Sequence, residues 1–129
     1  MTKKVLITGS VLGLLAIVLG AFAAHGLEKN LDKDAIDTFQ TGVRYQIYHA
    51  ILLLFIGSTT LFSEKTKSTL LILTVVGIIL FSGSIYGLST NALTRFDFKT
   101  IAFVTPIGGL LLIVSWLIML IKFIKLKSD

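Results

Sequence analysis

Long uninterrupted runs of apolar residues dominate the chain, and short polar stretches separate them. Four runs stand out, at about residues 5–24, 43–62, 69–89 and 101–121, and none of them contains an acidic residue. Each is close to the roughly 20 residues that a transmembrane helix needs. Continuous runs differ from the alternating pattern of a β-barrel, so helices are expected to satisfy the backbone in lipid. The pattern predicts an all-α polytopic membrane protein, with residues 1–129 forming one domain of four transmembrane helices in a compact bundle.

A different pattern occupies the loop between the first two runs. Apolar residues recur every four positions from Leu31 to Val43, and three aspartates crowd the start of this segment. Negative charge suits the beginning of a helix, and an apolar stripe at this spacing suits a membrane surface. We therefore expect residues 32–41 to form a short amphipathic helix in the first external loop, leading into the second span.

The start of the chain imitates a secretory signal peptide. Lys3 and Lys4 precede an apolar stretch that ends in the small-residue pattern Ala21-Phe22-Ala23. The apolar stretch is nevertheless longer than the 7–15 residues of a signal core. We expect this segment to be retained as the first span.

Composition supports a membrane protein and excludes several other classes. Hydrophobic residues make up 54% of the chain and charged residues 15%, and the mean hydropathy is +0.90. A soluble domain of 129 residues could not bury that much apolar surface. Cysteine is absent, and two histidines cannot supply a three-histidine zinc site. With no phosphate-binding glycine loop and no nucleophile elbow, we expect a protein that is not an enzyme and has no metal and no cofactor.

Basic residues are distributed unevenly between the two sides of the predicted membrane domain. The side with both termini and residues 63–68 has seven basic and two acidic residues, whereas the other side has five of each. The positive-inside rule then places both termini in the cytoplasm and disfavours a dual-topology dimer. The lysine-rich side attracts anionic lipids, so membrane lipids are expected partners. No basic face outside the membrane is large enough to bind nucleic acid.

Polar side chains within the four spans concentrate in their outer halves. At 1.5 Å per helical residue, His49 lies about 7.5 Å deeper than Arg44, and Ser84 and Thr105 lie at similar depths. The inner halves contain only Thr74 and Ser115, small hydroxyls that can bond their own helix. Polar groups are costly in lipid, so their shared depth predicts an outward-facing polar cluster. Its candidate binding residues are His25, Arg44, Tyr45, Gln46, His49, Ser82, Ser84 and Thr105.

Two classes of function fit this cluster. In the first, the cluster binds an ion, a proton or an anionic lipid headgroup, with Arg44 as fixed charge and His49 as a titratable donor. In the second, the cluster only locks the helices of a structural or accessory protein, and a partner membrane protein has the activity. Stripes of glycine and alanine favour close packing within the bundle or between copies of a homo-oligomer. A small channel or transporter is disfavoured, because the inner halves offer few polar groups along a solute path.

Four local patterns occur in order along the chain and resemble a known family. They are GAFAAHGL at residues 20–27, YQIYHA at 45–50, FSGSIY at 81–86 and TPIGG at 105–109. Together they resemble the bacterial inner-membrane family called domain of unknown function 423, which has small transmembrane relatives in animals. Ala23 stands where the family's glycine is expected. The resemblance implies a four-helix, multi-pass membrane protein without an established activity, and its motifs coincide with the predicted polar cluster.

Overall fold

Four long α-helices account for most of the chain. The computed structural model describes residues 1–127; Ser128 and Asp129, the latter one of the acidic residues counted for orientation, lie outside the described residues. The helices are α1 (Thr2–Phe22), α2 (Lys33–Ser58), α3 (Glu64–Ser89) and α4 (Val104–Ile124). A π-helical turn (Ala23–Leu27) extends α1, and two 3-10 turns (Asn91–Leu93 and Phe98–Ile101) connect α3 to α4. Residues 1–127 contain no β-strand, so the predicted all-helical class is confirmed.

Three of these helices are long and apolar enough to cross a membrane. They are α1 with its π-helical extension, α3 and α4. Helix α2 has 26 residues, as many as α3, but its first half contains several charged residues. Length and composition therefore support three of the four predicted spans, but not the second, at residues 43–62, which falls in α2.

The short amphipathic helix expected at residues 32–41 is not a separate element. The Asp32 side chain accepts a hydrogen bond from Ala35 N at 2.8 Å, and α2 then continues to Ser58. The apolar stripe that suggested a surface helix buries Phe39 against Ala23 and Leu27. Because this stripe shares the helical phase of the apolar segment after it, the two predicted elements form one helix.

The bundle is built from two helix pairs. Helix α1 packs along α2, and α3 packs along α4, while α2 and α3 join the pairs. We call the end with residues 23–32 and 90–103 the long-loop end, and the end with Met1, residues 59–63 and residues 125–127 the termini end. Near the termini end all four helices contribute to one core, which includes Val5, Leu53, Ile56, Leu70 and Met119. This shared core fixes the relative positions of the two pairs.

Glycine permits the closest approach between α3 and α4. A Cβ atom at Gly108 would lie 2.7 Å from Leu80 C and 2.8 Å from Gly77 O, both of which are backbone atoms of α3. At Gly83, by contrast, no described atom lies within 4 Å of such a Cβ. Gly108 therefore allows backbone contact that any larger residue would prevent, whereas Gly83 lies in open space.

Lys67 lies deeper than the loop position expected from the sequence. It falls in the first turns of α3, where it is buried, and its Nζ donates to Thr2 Oγ1 at 3.1 Å and to Gly57 O at 3.3 Å. The carbonyl of Gly57 is in the last turn of α2, where carbonyls lack partners within the helix. A cation is favourable at this negative end of a helix dipole. Lys67 thus links α1, α2 and α3 at the termini end.

Candidate functional site

Gln46, at the middle of α2, joins three helices. Its side chain is buried, its Nε2 donates to Leu12 O of α1 at 2.8 Å, and its Oε1 accepts from Tyr86 Oη of α3 at 2.6 Å. Both polar atoms of the amide are therefore used within the protein. Tyr86 is a site residue that the sequence reasoning missed; its position one helical turn after Ser82 was the available signal.

His49 is held between two partners. Trp116 Nε1 donates to His49 Nε2 at 3.1 Å, and His49 Nδ1 lies 2.7 Å from Tyr45 O. An indole nitrogen can only donate, so this network assigns the proton of the neutral imidazole to Nδ1, which donates to the carbonyl. Both ring nitrogens are thus occupied by the protein. Trp116, the single tryptophan of the chain, is a second residue that the sequence reasoning missed.

Hydroxyl side chains form further links from α3 to its neighbours. Ser82 Oγ donates to Gly42 O of α2 at 2.8 Å. Ser84 Oγ donates to Phe81 O at 2.9 Å, which leaves Thr105 Oγ1 of α4 as the donor of their 2.5 Å bond. Each buried hydroxyl of the predicted cluster therefore bonds to a neighbouring helix.

Thr74 and Ser115, the two hydroxyl side chains predicted in the inner halves of the spans, form a hydrogen bond with each other. Thr74 Oγ1 of α3 donates to Ser115 Oγ of α4 at 3.3 Å, and both side chains are fully buried. The bond therefore joins two helices, whereas the sequence suggested only a bond within each residue's own helix. The α3–α4 pair has a polar contact at two depths, here and at Ser84.

Three predicted site residues lie on the surface of the bundle. His25 is exposed in the π-helical turn, and Arg44 is exposed with its Nη2 donating to Thr41 Oγ1 at 3.0 Å. Tyr45 is 40% exposed, and its ring packs against Phe81 with centroids 4.9 Å apart. The structure therefore divides the predicted cluster into buried side chains that bond across helices and exposed side chains that do not.

An aromatic-lined groove opens between α2 and α4. Two adjoining cavities of about 450 and 520 Å³ share Tyr45, His49 and Trp116 in their walls. The first cavity is also lined by Phe81, Gly109, Leu112 and Ile113, and the second by Tyr48 and Ile51. We call this surface the α2–α4 groove. Its walls are largely apolar, and among residues 1–127 the hydrogen bond from Trp116 to His49 is the only one between α2 and α4.

Acidic and histidine side chains are dispersed over the part of the chain that the structure describes. Within residues 1–127, no three His, Cys, Asp or Glu side chains lie close enough together to hold a metal ion. The predicted cluster and the groove beside it therefore offer interhelical hydrogen bonds, the exposed guanidinium of Arg44 and largely apolar walls.

Apolar helices tied together by interhelical hydrogen bonds define a helical membrane protein. A family model described as "Protein of unknown function (DUF423)" matches residues 19–109. The chain belongs to this family, which confirms the resemblance seen in its four sequence patterns.

The chain is similar over nearly its whole length to bacterial membrane proteins. It is 35% identical to a UPF0382 membrane protein of Haemophilus influenzae, with 99% of each chain covered. It is 35% identical to the UPF0382 membrane protein YwdK of Bacillus subtilis, covering 95% of this chain and 98% of the relative. It is 32% identical to the UPF0382 inner membrane protein YgdD of Escherichia coli, covering 98% and 93%. No solved structure matches the chain.

Proposed function

We propose that this chain is a non-enzymatic bacterial membrane protein of four spans that binds one anionic phospholipid in the α2–α4 groove. The phosphate lies at Arg44, an acyl chain lies along the groove, and the buried polar side chains hold the helices apart at a fixed spacing. The observation that carries the proposal is that Arg44 is an exposed cation next to Tyr45 in the chain and one helical turn before Tyr48, two residues that line the groove.

Three features support α2 as the fourth span. Its 26 residues extend about 39 Å, which is longer than the hydrocarbon core of a bilayer. It packs between α1 and α3, which are themselves apolar enough to cross. Its polar side chains bond to other helices, as half-buried Gln40 does to Gly20 O at 3.3 Å and buried Gln46 does to Leu12 O. Polar groups bonded in this way are tolerated within a membrane.

The hydrogen bonds favour a lipid over an ion or a proton as the ligand. Both polar atoms of Gln46 and both ring nitrogens of His49 already bond to protein partners, so neither side chain has a polar atom without a partner. Arg44 uses one of its five N–H donors on Thr41, which leaves four for a phosphate. A guanidinium matches the geometry of phosphate oxygens and binds them in pairs.

Headgroup and acyl chain can follow a single face of α2. Arg44, Tyr48 and Ile51 are spaced by four and three residues, so they lie on one face of the helix. Ile51 is about 10.5 Å below Arg44 along the helix axis. Tyr48 and Ile51 line the groove, so a phosphate at Arg44 places the attached chain at its mouth.

The single tryptophan provides a direct test. Trp116 lines the groove, so phospholipids brominated near the end of an acyl chain should quench its fluorescence when they bind there. In reconstituted vesicles we expect brominated phosphatidylglycerol to compete for this surface about 5-fold better than brominated phosphatidylcholine. Arg44→Gln should reduce this preference to less than about 1.5-fold, because the phosphate loses its cation.

Arg95→Gln is the matched control, because it removes the same charge from the loop at the same end of the bundle. The control should keep the preference for phosphatidylglycerol. An equal loss in both variants, or no preference in the unmodified protein, would overturn the lipid proposal. The second result would favour the accessory role, in which the polar side chains only lock the bundle.

A further inference from the structure

We infer that the termini end holds a separate phosphate site, which binds a membrane phospholipid in the leaflet opposite to that of the groove. The site is a pocket of about 320 Å³ between the start of α3 and the end of α4. It is lined by Ser63, Lys65, Thr66, Thr69, Ile118 and Lys122. This inference does not rest on the groove proposal, since the two surfaces share no residue.

Two lysines from different helices give the pocket its positive charge. Lys65 is in the first turn of α3 and Lys122 in the last turns of α4, and both are exposed. No acidic side chain lines the pocket, and among residues 1–127 neither lysine forms an ion pair. The neighbouring acid, Glu64, instead pairs with the amino group of Met1 at 3.1 Å. The positive charges of Lys65 and Lys122 are therefore available to bind an anion.

The hydroxyl proton of Thr66, in this pocket, has no acceptor among the described residues. Ser63 Oγ donates to Thr66 Oγ1 at 3.0 Å and accepts from Thr66 N at 3.1 Å. Thr69 Oγ1 donates to Lys65 O at 3.1 Å. Within the described residues the Thr66 hydroxyl accepts a hydrogen bond but donates none, although its side chain is 8% exposed. A phosphate oxygen between the two lysines would accept this proton.

An apolar wall identifies the anion as part of a lipid. Ile118 lines the pocket one helical turn before Lys122, toward the centre of α4. Leu117 and Ile121, beside it on the same helix, are 50% and 40% exposed. A phosphate held by the lysines therefore has an apolar surface next to it for its acyl chains. Basic pockets between membrane helices are suited to anionic headgroups, and lysine stems can lie along apolar surface.

Native mass spectrometry of the whole detergent-solubilised protein can count bound phosphatidylglycerol molecules and measure their affinities. Lys65→Gln/Lys122→Gln should weaken one binding event about 10-fold, because both cations at the phosphate are lost. Lys125→Gln/Lys127→Gln is the matched control: it removes two charges from the same end but outside the pocket, and should change this affinity less than about 2-fold. Lys65→Arg/Lys122→Arg should keep the binding, because the charge is retained.

Two further measurements separate a lipid site at these lysines from the groove site and from a site for free phosphate. Arg44→Gln should leave the event at Lys65 and Lys122 unchanged, so this site and the groove can fail independently. Inorganic phosphate at millimolar concentration should not displace the lipid; full displacement would assign the pocket to free phosphate and overturn the lipid inference. Equal weakening in the Lys125/Lys127 control would also overturn it, because general charge attraction would then explain the binding.

Discussion

At the scale of single residues, the buried side chains of Gln46, His49 and Ser82 can stabilise the bundle because each has a partner on another helix. A polar group without a partner in lipid costs several kcal/mol, whereas an interhelical hydrogen bond contributes about 0.5–2 kcal/mol. Gln46 has two such partners, Leu12 O and Tyr86 Oη. Removing one side of this network therefore affects more than the bond that is lost.

We expect Gln46→Leu to lower the free energy of unfolding in detergent by about 1–3 kcal/mol, because it leaves the Tyr86 hydroxyl without its acceptor. Tyr86→Phe alone should cost less, and the double variant should cost little more than Gln46→Leu. Thermal unfolding of all three variants measures this coupling. Tyr48→Phe is the control, since that hydroxyl makes no hydrogen bond within residues 1–127 and its side chain is 51% exposed. If the two single losses in unfolding free energy simply add in the double variant, the coupling between Gln46 and Tyr86 is contradicted.

Several of the polar residues could be singled out from the sequence, but their partners could not. Helical rise spaces residues along one helix without giving the rotation of the facing helix. The indole of Trp116 and the hydroxyl of Tyr86 were therefore missed as partners. Lys67 was placed in a loop for a related reason, since its position beside a span does not show that its side chain reaches the end of α2.

At the scale of the elements, each outer helix is joined to its neighbour by a close glycine contact and by hydrogen bonds; α1 meets α2 at Gly9 and through Leu12 O. Helix α4 meets α3 through backbone contact at Gly108 and through hydroxyl pairs at Ser84 and Thr74. Continuous apolar runs were enough to predict where α1, α3 and α4 lie, within a few residues at each end. They were not enough for the start of α2, because a charged opening segment resembles a surface helix until its packing against α1 is known.

Gly108→Ala and Gly83→Ala should have opposite effects on stability. The added methyl at residue 108 meets the backbone of α3 and should separate α3 from α4, at a cost of about 1–3 kcal/mol. At residue 83 the methyl meets no described atom, and alanine should stabilise the helix by about 0.5–1 kcal/mol. Melting temperatures of the two variants test this difference in sign. A stabilised Gly108→Ala variant would show that the α3–α4 contact is looser than described.

At the scale of the whole molecule, the crossing of α2 decides which loops share a side of the membrane. If α2 crosses, residue 30 and residue 60 lie on opposite sides; if it lies on the surface, they share one side. Charge bias adds a direction, because the side with both termini is the more basic one. The number of crossings and their direction can thus be tested with the same variants.

The natural absence of cysteine makes this test simple, since each introduced cysteine will be the only one. A membrane-impermeant maleimide added to intact cells should label Asn30→Cys and Arg95→Cys. Thr60→Cys should react only after the membrane is opened. Labelling of Thr60→Cys together with Asn30→Cys in intact cells would show that α2 does not cross. Equal partial labelling at all three positions would indicate two opposite insertions of the same chain.

The pairing of α1 with α2 and of α3 with α4 has a consequence for how the protein is made. The first hairpin leaves the ribosome complete, with the amide of Gln46 already able to donate to Leu12 O. The oxygen of the same amide gains its partner only when Tyr86 arrives with the second hairpin. Until then an unpaired acceptor faces lipid, a state that costs free energy and favours association with the incoming helices. Gln46 therefore determines the face of the first hairpin on which the second hairpin packs.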